Sequence, residues 1–110
     1  MHSLTRGEQK SLAYHQVVAK KLRDDPTLLT VARDRLRWYR QRNPAGLFYY
    51  KQWDRLLDGP IEVLMLAMTS ASQESCALRQ ENPFVDLMTQ PERAAVYRRV
   101  AEEIDAGSRS

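Results

Sequence analysis

Apolar residues recur along this chain three and four positions apart, and the spacing predicts helices and no strand. Thr5-x-x-Glu8 has the form of a capping box, in which a hydroxyl and a carboxylate satisfy orphan amides reciprocally. The segment behind it sets Leu12, His15, Val18, Ala19 and Leu22 on one face, so a first helix is expected from about 6 to 24. Asp25-Pro26 ends it and opens the next, because aspartate caps and proline at the first helical position gives up no needed donor. That second helix runs to about Arg42 with Leu29, Ala32, Leu36 and Tyr39 inward. Asn43-Pro44-Ala45-Gly46 is a turn by composition.

Leu47 to Leu57 carries Phe48, Tyr49, Tyr50 and Trp53. Its first four residues could be read as a strand, but the spacing of Tyr49, Trp53, Leu56 and Leu57 favours a helix stopped by Asp58-Gly59. Pro60 opens a fourth, mostly buried helix through Met68. Ser70-x-x-Gln73 reads as a second capping box, starting a helix to about Gln80 or Glu81. Asn82-Pro83 breaks it, and Phe84-Val85-x-Leu87 has the look of a short buried plug. Thr89-x-x-Glu92, with Pro91 in the first turn, is a third box, and the last helix is expected to reach about Asp105. The expectation is an all-α, compact single-domain bundle of about six helices covering 1–110, with 106–110 a frayed tail.

Composition alters this picture little. At 110 residues, 43% hydrophobic and 28% charged, the chain can build one core and is too short for two. The N-terminus has no apolar signal core, and Ile61 to Met68 is far short of a bilayer span, so a soluble cytoplasmic protein with no membrane partner is expected. Charge is more informative in its distribution than in its total of +3. Residues 1–60 hold 12 Lys/Arg against 6 Asp/Glu, and residues 61–110 hold 5 against 8. A basic front and an acidic rear suit two faces with different partners, two copies docked head to tail as a homodimer, or halves that complement each other inside one fold.

The densest charge lies in Arg33-Asp34-Arg35-Leu36-Arg37-Trp38-Tyr39-Arg40-Gln41-Arg42, with five arginines and two aromatics. Guanidinium forks suit carboxylates and phosphates and stack on rings. Three readings compete. Arg33, Arg37 and Arg40 contact an acidic protein partner, with Trp38, Tyr50 or Trp53 as aromatic anchor. Alternatively they meet phosphates, extended by Lys20, Lys21, Arg23 and Arg42. Or nearby Asp24, Asp25, Asp34, Asp54 and Asp58 absorb them. Trp38 is out of phase with the core and is the surface tryptophan; Trp53 shares a face with Leu56 and Leu57 and is expected to be buried. Residues 60–80 also have the lengths of a helix-turn-helix whose second helix would offer Gln73, Arg79 and Gln80, though with a single cation.

Catalytic signatures are wanting. No P-loop, G-x-G-x-x-G, H-E-x-x-H or G-x-S-x-G is present. His2 and His15 are the only histidines, and His15 on a core-facing stripe reads as structural. Cys76, the lone cysteine, reads as a small buried side chain, and no disulfide can form within the chain. Neither enzyme chemistry, nor a metal, nor a cofactor is expected.

Two stretches, Ser11-Leu-Ala-Tyr-His-Gln-Val-Val-Ala-Lys-Lys-Leu22 and Leu78-Arg-Gln-Glu-Asn-Pro-Phe84 followed by Pro91-Glu-Arg93, resemble short bacterial helical proteins encoded beside nucleotidyltransferase-like partners, in the manner of toxin–antitoxin pairs. The resemblance implies the small neutralising or regulatory member, binding a toxin-like enzyme. It supplies no functional residues. The expected function is therefore a non-enzymatic binding protein with Arg33, Arg37, Arg40 and Trp38 as contact centre. The alternative is a DNA-binding transcriptional regulator. Its capping signals continue almost to the end, so recognition should use a preformed surface.

Overall fold

A computed structural model describes residues 3–108. Six α-helices succeed one another: α1 (Arg6–Asp24), α2 (Leu29–Arg42), α3 (Leu47–Asp58), α4 (Ile61–Thr69), α5 (Gln73–Arg79) and α6 (Gln90–Ser108). No strand occurs among the described residues. The Thr5 box forms as expected, with Glu8 N–H donating to Thr5 Oγ1 at 3.1 Å and Thr5 N–H to Glu8 Oε1 at 2.9 Å. The Thr89 box forms too, at 3.0 and 3.2 Å. Asp25 caps a short 3₁₀ turn, Pro26–Leu28, and α2 proper begins only at Leu29.

Three expectations need correction. The cap of α5 is Ser72, whose hydroxyl accepts from Ser75 N–H at 3.2 Å. Ser70 Oγ instead accepts from Ser72 N–H, an ST-type turn that delays the helix. α6 continues through Gly107 to Ser108, beyond the expected end near 105, so residues 106–108 are helical; 109 and 110 lie outside the described residues. Finally, α4 is not mostly buried: Leu64, Met65 and Met68 face in, while Val63 and Leu66 stand in solvent.

α1 is the central strut, packed against α4, α5 and α6. Phe84 is the plug between layers and is fully buried. Its ring meets Trp53 edge-on at 5.1 Å and His15 at 5.8 Å, and its carbonyl accepts from Tyr14 Oη at 2.9 Å. Trp53 Nε1 donates to the Leu78 carbonyl at 3.0 Å, tying α3 to α5. α2 and α3 form an antiparallel pair through the 3₁₀ turn Pro44–Gly46. Gly46 is required there, because a Cβ would strike the buried Tyr50 ring. That ring stacks on Tyr39 at 5.3 Å, and its hydroxyl accepts from Asn43 Nδ2.

Charge complementarity between the halves is used inside the fold. Lys21 Nζ donates to Glu92 Oε2 at 2.6 Å and to the Leu87 carbonyl at 3.0 Å. Arg35 holds Asp86, Arg23 approaches Glu62, and Arg6 approaches Asp105. No helix among the described residues is long and apolar enough to cross a membrane.

Candidate functional site

The arginines of α2 divide between two sides of the helix, and most are engaged at home. Arg33 Nη2 donates to the Leu57 carbonyl at 2.8 Å and lies 3.5 Å from Asp58, so it caps the C-terminus of α3. Arg40 pairs with Asp54 of α3. Arg37 meets only Asp34 on its own helix, at 3.5 Å, with both side chains exposed. On the other side, Arg35 grips Asp86 with two parallel 2.8 Å hydrogen bonds, which raise its pKa above the ordinary arginine value. Arg42 and Arg35 lie over the Trp38 ring at 4.6 and 5.0 Å. The expected outward-facing contact centre of Arg33, Arg37 and Arg40 is thus corrected: two of the three brace α2 against α3. Trp38 is exposed as expected, at 44%. Tyr50 and Trp53 are buried and drop out as anchors.

The helix-turn-helix surface loses its cation. Arg79 is 1% exposed, and burial lowers its pKa. Its Nη1 donates to the carbonyls of Met68 and Ser70 at 3.1 and 2.7 Å, and Nη2 to Cys76 Sγ at 3.3 Å. The guanidinium therefore satisfies the open carbonyls at the end of α4 and locks α5 beneath it. Gln73 and Gln80 are exposed, beside the exposed Glu74. From the other proposed phosphate contacts, Lys21 is held by Glu92, Arg23 lies 3.9 Å from Glu62, and Arg42 stacks on Trp38. Lys20 is exposed.

Where α2 closes, α3 opens. Tyr50, Trp53 and Leu57 are buried and Tyr49 and Leu56 pack half-buried beside them, so the expected face is kept with Tyr50 added to it. Leu47 and Phe48 point out, 40% and 69% exposed. With Lys51, Gln52 and Arg55 they line a shallow recess of about 560 Å³. Leu47, Lys51 and Arg55 form one i, i+4 row and Phe48 with Gln52 the next. Asp54 and Asp58 on the same helix are already taken by Arg40 and Arg33. Neither Lys51 nor Arg55 meets a carboxylate among the described residues. Among the described residues the exposed large hydrophobics, Trp38, Leu47, Phe48, Val63 and Leu66, belong to α2, α3 and α4. Sequence reasoning missed Phe48, although four aromatics in eleven helical residues cannot all face one core.

No family model, curated protein or solved structure matches the chain.

Chemistry elsewhere is confined to the interior. His15 is buried between Tyr14 and Phe84, its Nδ1 2.7 Å from the Ser11 carbonyl. Burial pushes its pKa down to about 4, opposed by the Ser11 hydrogen bond and reinforced by the positive charge of Arg79. It is neutral at physiological pH. Cys76 is buried beside Arg79. Among the described residues no group of three or more His, Cys, Asp or Glu side chains converges as a metal site would require. His2 lies outside the described residues.

Proposed function

We propose that this protein is a non-enzymatic binding module that docks on a partner protein through the outer face of α3. The observation that carries the reading is Phe48, a large aromatic held in solvent at the start of α3, followed along the same face by Lys51 and Arg55, which no carboxylate among the described residues engages. Exposed aromatic anchors ringed by polar groups are the recurring centre of protein interfaces. The α2 arginines contribute indirectly, by bracing α3 from behind through Asp54 and Asp58. The resemblance to helical members of toxin–antitoxin-type pairs supplies the class of partner, a nucleotidyltransferase-like enzyme that this chain neutralises or regulates.

Co-expression with the product of the adjacent reading frame is the test. The expected result is co-purification as a defined complex, lost on Phe48→Asp and kept on Arg37→Ala. A complex indifferent to Phe48→Asp would remove α3 as the docking face. The rival reading, a DNA-binding regulator, retains only Gln73, Gln80 and Lys20 of its exposed unpaired contacts. It would return if duplex DNA bound with a steep salt dependence abolished by Lys20→Ala.

A further inference from the structure

We infer that the α3 face receives an acidic amphipathic helix of a second protein, its apolar side chains set against Leu47 and Phe48 and its carboxylates against Lys51 and Arg55. This deepens the partner-binding reading and rests on it. The shape of the recess points to a helix. Two parallel i, i+4 rows, Leu47–Lys51–Arg55 and Phe48–Gln52, leave between them the kind of groove into which a ridge of another helix fits. The charges point to acid. Arg33, Arg35, Arg37 and Arg40 each have a carboxylate of this chain, whereas Lys51 and Arg55 have none among the described residues. Lys20 and Arg98 also lack a carboxylate among the described residues, but Lys51 and Arg55 stand on the same exposed face as Leu47 and Phe48. An external carboxylate on each therefore suits this face, as complementary charge across an interface fixes register and disfavours wrong partners.

The order along α3 also sets polarity. Apolar side chains occupy its first turn, and the cations follow one and two turns later. The incoming helix must therefore carry its apolar pair at one end and its acids toward the other. A nucleic acid fits less well: two cations beside Asp54 and Asp58 offer a polyanion few phosphate contacts. A second copy fits less well too. The acidic helix α6 turns Val96 and Val100 into the core and packs Tyr97 and Ile104 against it, so its large apolar side chains are already engaged.

The probe is a capped helical peptide of about 18 residues, long enough to hold a helix, with leucines on one face and glutamates one and two turns beyond them. It is added to the isotope-labelled full chain while backbone amide shifts are followed. The expected result is saturable shifts centred on 47–55, weakened at least about tenfold by Lys51→Glu/Arg55→Glu and by a Glu→Gln peptide. Circular dichroism of the variants should match wild type. Four results would overturn the inference: amides 47–55 unmoved by the peptide, equal binding of the Glu→Gln peptide, the same amides moved by a single-stranded oligonucleotide, or their movement with protein concentration alone. Should the peptide fail while the co-expressed partner still binds in a Phe48-dependent manner, the acidic-helix inference falls and the partner-binding reading stands.

Discussion

His15 is a titratable side chain buried in the core. In the unfolded chain it takes a proton near pH 6.5, and in the folded chain only near pH 4. Between those values unfolding takes up a proton, so stability is highest above pH 6.5 and falls as pH drops toward 4. The loss attributable to this one side chain is about 3 kcal/mol once both states are protonated. Urea titrations at pH 7 and pH 4.5 should reveal it, and His15→Phe should flatten the difference. Glu92 acts in a lower window. The Lys21 hydrogen bond, followed by those at Thr89, holds its pKa down to about 2, so its contribution is present above about pH 4.5 and fades as pH falls toward 2. Gly46 makes a different kind of demand. Gly46→Ala would drive a methyl into the Tyr50 ring, and a loss of about 1–3 kcal/mol is expected in denaturant titration. His15 and Trp53 were legible as interior residues because each shares a stripe with core neighbours, and Cys76 because it is a small side chain between Ser75 and Ala77 on a helix. Arg79 was not, since an arginine on a short polar helix reads as solvent-facing until the carbonyls it serves are known.

Among the elements, helices announced by side-chain chemistry were legible and those decided by packing were not. α1 starts behind its capping box and stops at Asp25-Pro26 as read, and α3 ends at Asp58-Gly59 as its composition implies. α5 is shorter than expected because Ser70 and Ser72 are rival caps, and only the turn between α4 and α5 decides for Ser72. The core face of α3 is the expected one, with Trp53 and Leu57 buried and Tyr49 and Leu56 packed beside them, but a helical period alone does not say that Tyr50 joins it while Phe48 stands out. The α4–α5 corner depends on Arg79. Arg79→Met keeps the packing volume but removes the donors to the Met68 and Ser70 carbonyls, at about 1–3 kcal/mol for each carbonyl left buried and unpaired. A drop of that size in urea-derived stability, with no change in partner binding, would separate this clamp from a recognition role. Wild-type stability in Arg79→Met would contradict it.

Across the whole molecule, part of the basic front is spent on the acidic rear, with Lys21–Glu92 and Arg35–Asp86 in close contact and Arg23–Glu62 and Arg6–Asp105 at 3.9 Å joining the halves. What remains unmatched is therefore more telling than the total charge. The exposed Leu47 and Phe48 share the outer face of α3 with Lys51 and Arg55, which meet no carboxylate among the described residues. Phe48→Asp should leave stability within about 0.5 kcal/mol of wild type, as befits a surface position, while abolishing the complex. Neither the arginine-rich stretch nor the aromatic density of α3 announced this surface in the sequence, because which arginines find an aspartate depends on how α2 and α3 pack. The most direct measurement is hydrogen exchange on the co-purified complex against the free chain, read helix by helix. Added protection concentrated at 47–55, with 73–80 unchanged, is the expected result. Protection at 73–80 with α3 unaffected would contradict it.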